Sequence, residues 1–300
     1  MKAITQLIHH IAHQLSKSTY DIGMPIDKAT QEAWWIIEHL CNKKKTELLL
    51  EDPFILNDTQ KKKLNAIITE RTVYHKPLQY ILENTPFCGL SIISKPPILI
   101  PRPETEEWCT WLIEHIKSVN QNKTALTILD LCSGSGCIAL ALAFHLPYTK
   151  VIACDILPEA ITLAEENKQA LKIENVQFIQ SDLFEAFTKN GYLFDLIVAN
   201  PPYISPQEKI YMSPEVTQWE DPKALFAPDA GLAIIKQIAI ESVTFISKHI
   251  RVPKLPQLVM EIGYTQGPIV SKILLKAGWK SIGVHKDLER KDRWITAHIS

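Results

Sequence analysis

Residues 127 to 141 read TILDLCSGSGCIALA: an apolar run, a loop of small residues around two glycines, and a second apolar run of helical length. The pattern is that of a buried strand, a tight turn and a helix. Gly134 and Gly136 permit the turn and a close approach by a ligand, and the first N–H groups of the following helix point at whatever binds there. The next apolar run, KVIACDI, ends in Asp155, nineteen residues after Gly136. An acid at that place can accept hydrogen bonds from both hydroxyls of a ribose. Gly134, Gly136 and Ala139 satisfy the G-x-G-x-x-A pattern of dinucleotide-binding proteins, so a nicotinamide dehydrogenase is one reading. Two turn glycines with Asp155 capping a helix before Pro158 is the plain structural one.

Outward from this unit, strands and helices alternate. PEAITLAEENKQAL reads as a helix, NVQFIQSD and LFDLIVAN as strands, GLAIIKQIAIESVTFISKHI as a helix and LPQLVMEIG as a strand. IVSKILLKAGW follows as a helix, and KSIGVH and RWITAHI as two short strands. Apolar strands separated by helices make an α/β fold with a mostly parallel sheet covered on both faces, and the tightly joined last pair predicts an antiparallel edge. In such a sheet ligands bind at the carboxyl ends of the strands, so Asp130, Gly134, Asp155, Asp182 and Asn200 are expected along one rim.

Residues 1–85 read differently. Ile4, Leu7, Ile8, Ile11 and Leu15 recur at helical spacing, as do Ala33, Trp34, Ile37 and Leu40, and then Leu64, Ile67 and Ile68. Asp27 and Asn57-Asp58-Thr59 stand as start signals before two of these helices. A small helical bundle follows, with residues 86–100 as a proline-marked hairpin linker and 101–300 as the α/β domain. The lysine triplets at 43–45 and 61–63 read as solvated helix faces, since residues 1–85 carry eleven Lys and Arg against ten Asp and Glu.

The whole chain has 300 residues and a formal net charge of -1, without the basic footprint of a nucleic-acid binder. Its six cysteines form no CxxC pair or regular framework, which fits a reducing cytoplasm. No secretory leader or membrane span is read, and the histidines, including His9 and His13 one turn apart, make no zinc pattern.

Residues 195 to 204, DLIVANPPYI, end a core strand with an amide and two prolines. Pro201 and Pro202 lack an N–H, so this backbone offers only acceptors, and the ring of Pro201 biases Asn200 to an extended conformation. The Asn200 side-chain oxygen and the Pro201 carbonyl can accept two hydrogen bonds from one planar NH2 group, with Tyr203 as a flat face against it. Such a grip suits methyl transfer to an amide, whose delocalised lone pair makes positioning the main source of catalysis. No dedicated base is needed, because a methylated amide nitrogen loses its proton readily to a backbone oxygen or water. A strand merely terminated by prolines is the bland alternative.

PLQYIL at 77–82, LIPRPETE at 99–106, LDLCSGSG at 129–136, the Asp155 strand end, SDLF at 181–184 and NPPYI at 200–204 together resemble the HemK/PrmC family of peptide chain release factor glutamine methyltransferases. The later segments WEDPKALFAPDAG, VMEIG and HKDLERKDRW extend the resemblance over nearly the whole chain. It implies a Rossmann-like class I methyltransferase sheet behind the helical bundle. It implies transfer of a methyl group from S-adenosylmethionine to the glutamine of the GGQ loop of class 1 release factors. Carried across by position, Cys132, Ser133, Gly134, Ser135 and Gly136 fall at the methionine and ribose part of the cofactor, Asp155 at the ribose hydroxyls and Leu183 at the adenine. Asn200, Pro201, Pro202 and Tyr203 become the glutamine clamp, with Asn200 also beside the cofactor. Three departures stand out: Cys132-Ser133 in place of Gly-Thr or Gly-Ser, Leu183 where an aromatic residue is frequent, and Glu83 in place of a glycine.

In PRPETE, Arg102, Glu104 and Glu106 either orient a ligand or form an ordinary helix start. Rival readings are a glutamine methyltransferase for a ribosomal protein and an adenine amino-group DNA methyltransferase, which grips its NH2 with a similar loop. The first is poorly separated by sequence; the second lacks a basic surface and a target-reading domain. A dehydrogenase has no use for NPPY, and a pure binding module has no use for an intact NPPY beside an intact glycine loop. The expected protein is a cytoplasmic monomer whose helical domain recognises the body of a release factor, without nucleic acid, membrane or metal.

Overall fold

The computed structural model describes residues 3–17, 24–51, 53–189 and 191–299. The chain divides into two compact units, Met1–Glu83 with Ser213–Trp219, and Asn84–Met212 with Glu220–Ser300.

In the first unit the periodic residues form the helices Ala3–Ser16, Ile26–Cys41 and Asp58–Thr72. Ile4, Ile8, Ile11 and Leu15 pack with Ala29, Ala33, Ile37, Leu64 and Ile67 into one core. Asn57 caps the third helix: its side chain accepts from Gln60 N–H at 2.8 Å, and the Gln60 side chain accepts from Asn57 N–H at 2.9 Å. Asp27 is not a cap; it lies in the first turn, after Pro25 has begun the helix. Leu78–Leu82 inside PLQYIL is a helical turn, where extended runs were expected; Leu78 joins the helical core and Tyr80 is buried as well. Ser213–Trp219, which the sequence assigns to the α/β domain, groups with the helices. The buried guanidinium of Arg71 binds Glu32 at 2.8 and 3.0 Å and Glu215 at 2.8 Å, and Trp219 Nε1 donates to the Tyr74 carbonyl at 3.1 Å.

The second unit opens with a hairpin of β1 (Thr85–Phe87) and β2 (Leu90–Ile92), then the helix Pro103–Val119. The remaining strands are β3 (Thr127–Leu131), β4 (Lys150–Asp155), β5 (Val176–Gln180), β6 (Leu196–Ala199), β7 (Leu258–Glu261), β8 (Lys280–Lys286) and β9 (Asp292–His298). They form one sheet in the order β5-β4-β3-β6-β7-β9-β8. The five strands from β5 to β7 are parallel, and β9 runs antiparallel between β7 and β8. Alternation in the strands feeds two cores: Ile128, Leu196, Val198 and Val259 face one layer of helices, and Leu129, Ile197, Ala199 and Met260 the other. The long helix expected to reach Ile250 is Ala233–Phe245 and stops there, because Ile246 turns extended and pairs with Phe194. Among the described residues no helix is long and apolar enough to cross a membrane.

Candidate active site

Parallel pairing of β3, β4, β5 and β6 brings their carboxyl ends to one rim. There the structure has a cavity of about 290 Å³. Cys132, Gly134, Asp155, Leu183, Asn200 and Pro202 line it, and Asp182 with them. Ser133, Ser135, Gly136, Pro201 and Tyr203 stand in the same loops without lining it. Asp130 does not reach the rim. It is buried beneath, where its Oδ2 accepts from Ala139 N–H at 3.1 Å while Oδ1 has no hydrogen-bond partner among the described residues, and burial pushes its carboxyl well up.

The glycine loop is set by backbone conformation. Cys132, Gly134 and Gly136 all take left-handed φ, at 59°, 54° and 79°. A Cβ on Gly134 would meet only Ile98, at 3.9 Å, so what calls for glycine there is the left-handed turn. A Cβ on Gly136 would lie 2.7 Å from Phe178 Cζ and 3.0 Å from Ala164, so this glycine lets the helix Cys137–His145 pack close against β5 and its neighbours. Asn167 Nδ2 donates to the Ser135 carbonyl at 3.1 Å, and Ser133 N–H to the Cys154 carbonyl at 3.0 Å. Opposite, Asp155 accepts Gly134 N–H at 2.8 Å and Leu157 N–H at 3.0 Å, one on each oxygen. Burial pushes its carboxyl up, and backbone N–H groups, those of Leu157 and Gly134 among them, pull it back. Burial also pushes the Cys132 and Cys154 thiols well up, so neither is a ready nucleophile.

The second loop is set by side chains. Asn200 Nδ2 donates to Thr105 Oγ1 at 3.2 Å, and Thr105 Oγ1 donates to Glu261 Oε2 at 2.7 Å. Trp108 Nε1 donates to the same Oε2 at 2.7 Å, and the Tyr203 hydroxyl to Oε1 at 3.0 Å. Glu261 is buried at the end of β7. Burial pushes its carboxyl up; the Trp108, Thr105 and Tyr203 donors and the Arg293 charge pull it back. Burial and the neighbouring Glu261 push the Tyr203 phenol up, which removes it as a base. The Tyr203 carbonyl accepts from Gln266 Nε2 at 3.0 Å. Gly231, at φ 82°, packs so near that a Cβ there would fall 2.0 Å from that carbonyl oxygen.

Thr105, Trp108, Gln266, Gly231 and the role of Glu261 were not found in the sequence. Signals for Thr105, Glu261 and Gly231 were present in PRPETE, VMEIG and APDAG, but a polar residue's partner 63 to 156 positions away is fixed only by the fold. In PRPETE the structure gives an ordinary helix start, with Pro103 in the first turn, Arg102 bound to Glu220, and Glu106 accepting Cys88 N–H at 2.7 Å. Thr105, between the residues weighed, is the one that reaches Asn200.

The residues present fit a nucleoside with a polar tail. Ile98, Leu157, Leu183 and Phe226 give the cavity an apolar wall. The Asp155 carboxyl keeps acceptor capacity for a hydroxyl beside its backbone partners, and the buried Ser133 hydroxyl at the loop has no hydrogen-bond partner among the described residues.

Comparison with known proteins gives a consistent picture. The family models that match are the PrmC N-terminal domain, over residues 6–82, and the Methyltransferase small domain, over residues 106–225. The release factor glutamine methyltransferase of Lactococcus lactis subsp. lactis (strain IL1403) is 39% identical over 238 residues, 79% of this chain and 83% of that protein. That of Bacteroides thetaiotaomicron is 35% identical over 253 residues, 84% of this chain and 86% of its own. The bifunctional methyltransferase of Rickettsia prowazekii (strain Madrid E) is 33% identical across 98% of this chain, which spans 57% of that relative. Among solved structures, the catalytic domain of hMettl16 in complex with MAT2A 3'UTR hairpin 6 superposes with a TM-score of 0.53 at 16% identity, over 80% of this chain and 81% of its own. This last likeness is one of fold.

Proposed function

The chain belongs to the release factor glutamine methyltransferase family, and on that premise we propose that it methylates the side-chain amide nitrogen of the glutamine in the GGQ loop of class 1 release factors. The observation that carries the reading is that Asn200 and Pro202 line the same cavity as Gly134 and Asp155. A nucleoside site and an amide grip therefore share one space. S-adenosylmethionine, bound there, supplies a methyl group on a positively charged sulfur.

The chain's own residues do the rest. Asp155 accepts the ribose hydroxyls, the loop from Cys132 to Gly136 lies along the methionine part, and Leu183 gives the adenine an apolar surface. Asn200 Oδ1 and the Pro201 carbonyl accept the two N–H groups of the glutamine and hold its nitrogen in line for attack. Their partial negative charge favours the positive charge that develops on that nitrogen. The Tyr203 hydroxyl is committed to Glu261 and its phenol is pushed up, so the proton leaves to a backbone oxygen or to water.

In this reading the enzyme works as a monomer in the cytoplasm and takes a protein rather than a nucleic acid, in keeping with a formal net charge of -1. The helical unit reads the body of the release factor, because a GGQ loop is too small to select one protein. Intact factor is then methylated with a kcat/KM at least about tenfold above that of its isolated GGQ-bearing peptide, and equal values would end that role. The activity itself is tested with labelled S-adenosylmethionine and two purified acceptors, a class 1 release factor and bulk ribosomal protein. Label in the factor, lost when its GGQ glutamine is changed to alanine, is the expected result. Label in the ribosomal protein alone would move the substrate there.

A further inference from the structure

Hydrogen-bond direction around Glu261 decides which end of the Asn200 amide faces the cavity. Four groups meet in one chain of contacts, and with Glu261 ionised each link leaves a single choice. Trp108 Nε1 is a donor only, so the oxygen 2.7 Å from it must accept. That oxygen, Glu261 Oε2, also lies 2.7 Å from Thr105 Oγ1, so the Thr105 proton is spent on it. The Thr105 oxygen, having given its proton, can only accept. The group 3.2 Å away must then be the NH2 end of Asn200. An asparagine amide looks nearly the same from either end, and only its partners settle the orientation.

Resting on the functional reading above, we propose that Thr105 and Glu261 are positioning residues that turn the Asn200 oxygen toward the substrate and so make the clamp select a glutamine amide over a glutamate carboxylate. With Oδ1 turned to the substrate and the Pro201 carbonyl as the second acceptor of the functional reading above, the clamp offers two acceptors and no donor. An NH2 group satisfies both; a carboxylate meets two lone-pair faces and leaves them unpaired. A flipped Asn200 would offer NH2 beside the Pro201 carbonyl, a mixed pair that admits a carboxylate oxygen.

Direction, as opposed to mere contact, gives a pattern across variants. Thr105→Val keeps the shape and removes the hydroxyl, so Asn200 is free to flip. Thr105→Ser keeps the relay. Glu261→Leu leaves the Thr105 proton free to go to Asn200 Oδ1 and reverses the orientation. In Glu261→Gln the donor-only Trp108 still draws the amide oxygen to its side, so Thr105 still donates and the orientation survives. A role in packing or charge alone would not separate Gln from Leu in this way, nor Ser from Val.

The experiment measures KM for a class 1 release factor carrying its glutamine, and Ki for the same factor with glutamate in that place. The ratio Ki/KM is the selectivity, and the affinity for S-adenosylhomocysteine is followed in parallel. Thr105→Val and Glu261→Leu are expected to lower the ratio at least about tenfold with cofactor affinity retained. Thr105→Ser and Glu261→Gln should stay within about threefold of wild type, inside the usual context-dependence of one hydrogen bond. If Glu261→Leu fails to fold, the Val and Ser pair decides alone. A Thr105→Val ratio within threefold of wild type would overturn the proposal while leaving the methyltransferase reading intact. A wild-type enzyme that methylates no glutamine would overturn both.

Discussion

Two loops at the same sheet edge are built on opposite principles. The loop from Cys132 to Gly136 takes its shape from three left-handed residues and one close helix approach, with Asp155 and Asn167 bound to its backbone. The loop from Asn200 to Tyr203 holds its shape through side chains brought from Thr105, Trp108, Glu261 and Gln266. In the proposed function the first presents backbone to a cofactor whose polar groups are many and spread out, and the second places one acceptor atom, whose single amide orientation needs partners that cannot turn. Damage should therefore appear in different observables.

Asn200→Ala carries the largest expected effect. It removes one of the two acceptors and should lower kcat by about 10²–10³-fold. Binding of S-adenosylhomocysteine and the thermal midpoint should stay near wild type. A matching loss of cofactor affinity would erase the distinction between the loops. Gly136→Ala is the converse. It adds a Cβ that would meet Phe178 at 2.7 Å in a left-handed residue, and should cost about 3 kcal/mol of stability. Denaturant unfolding reads this directly, and an unchanged midpoint would mean the helix packs less closely than observed.

Asp155→Asn sharpens the cofactor side. Loss of the charged acceptor should weaken S-adenosylhomocysteine binding by about tenfold or more near neutral pH. The wild-type carboxyl is pushed up by burial, so it takes a proton as pH falls at values above those of an ordinary aspartate. Affinity should be full while it is ionised and fall as pH drops through that raised value; the Asn variant should lack this step. A wild-type affinity flat across the acid range would contradict the role given to Asp155. The smallest effect is at Cys132, whose left-handed backbone costs about 1 kcal/mol that glycine would avoid, against a similar entropic loss in the unfolded chain. Cys132→Gly should change stability by no more than about 0.5 kcal/mol either way.

How much could be read in the sequence follows the same division. The strand-turn-helix from Thr127 to His145 and the Asp155 strand end were legible because their signals are local: glycines where φ is positive and an acid at a fixed distance. Two departures from the family pattern, Cys132 and Glu83, both prove to sit in left-handed backbone, at φ 59° and 51°, which explains why glycine is usual there. Asn200, Pro201 and Tyr203 were legible as residue types but not as a mechanism of orientation. Thr105 and Glu261 are 156 positions apart, and nothing in either segment names the other. Ser213–Trp219 was misassigned for the same reason, since Arg71 and Glu215 meet across 144 positions. The strand order at the sheet edge, with β9 placed inside β8, likewise depends on pairing that two short strands do not announce.

The most direct measurement is tandem mass spectrometry of a class 1 release factor after incubation with S-adenosylmethionine and either the wild-type enzyme or Asn200→Ala. One methyl group on the side-chain nitrogen of the GGQ glutamine, strongly reduced with the variant, is the expected result. A methyl group on another residue, or equal modification by both enzymes, would contradict the clamp as the seat of the reaction.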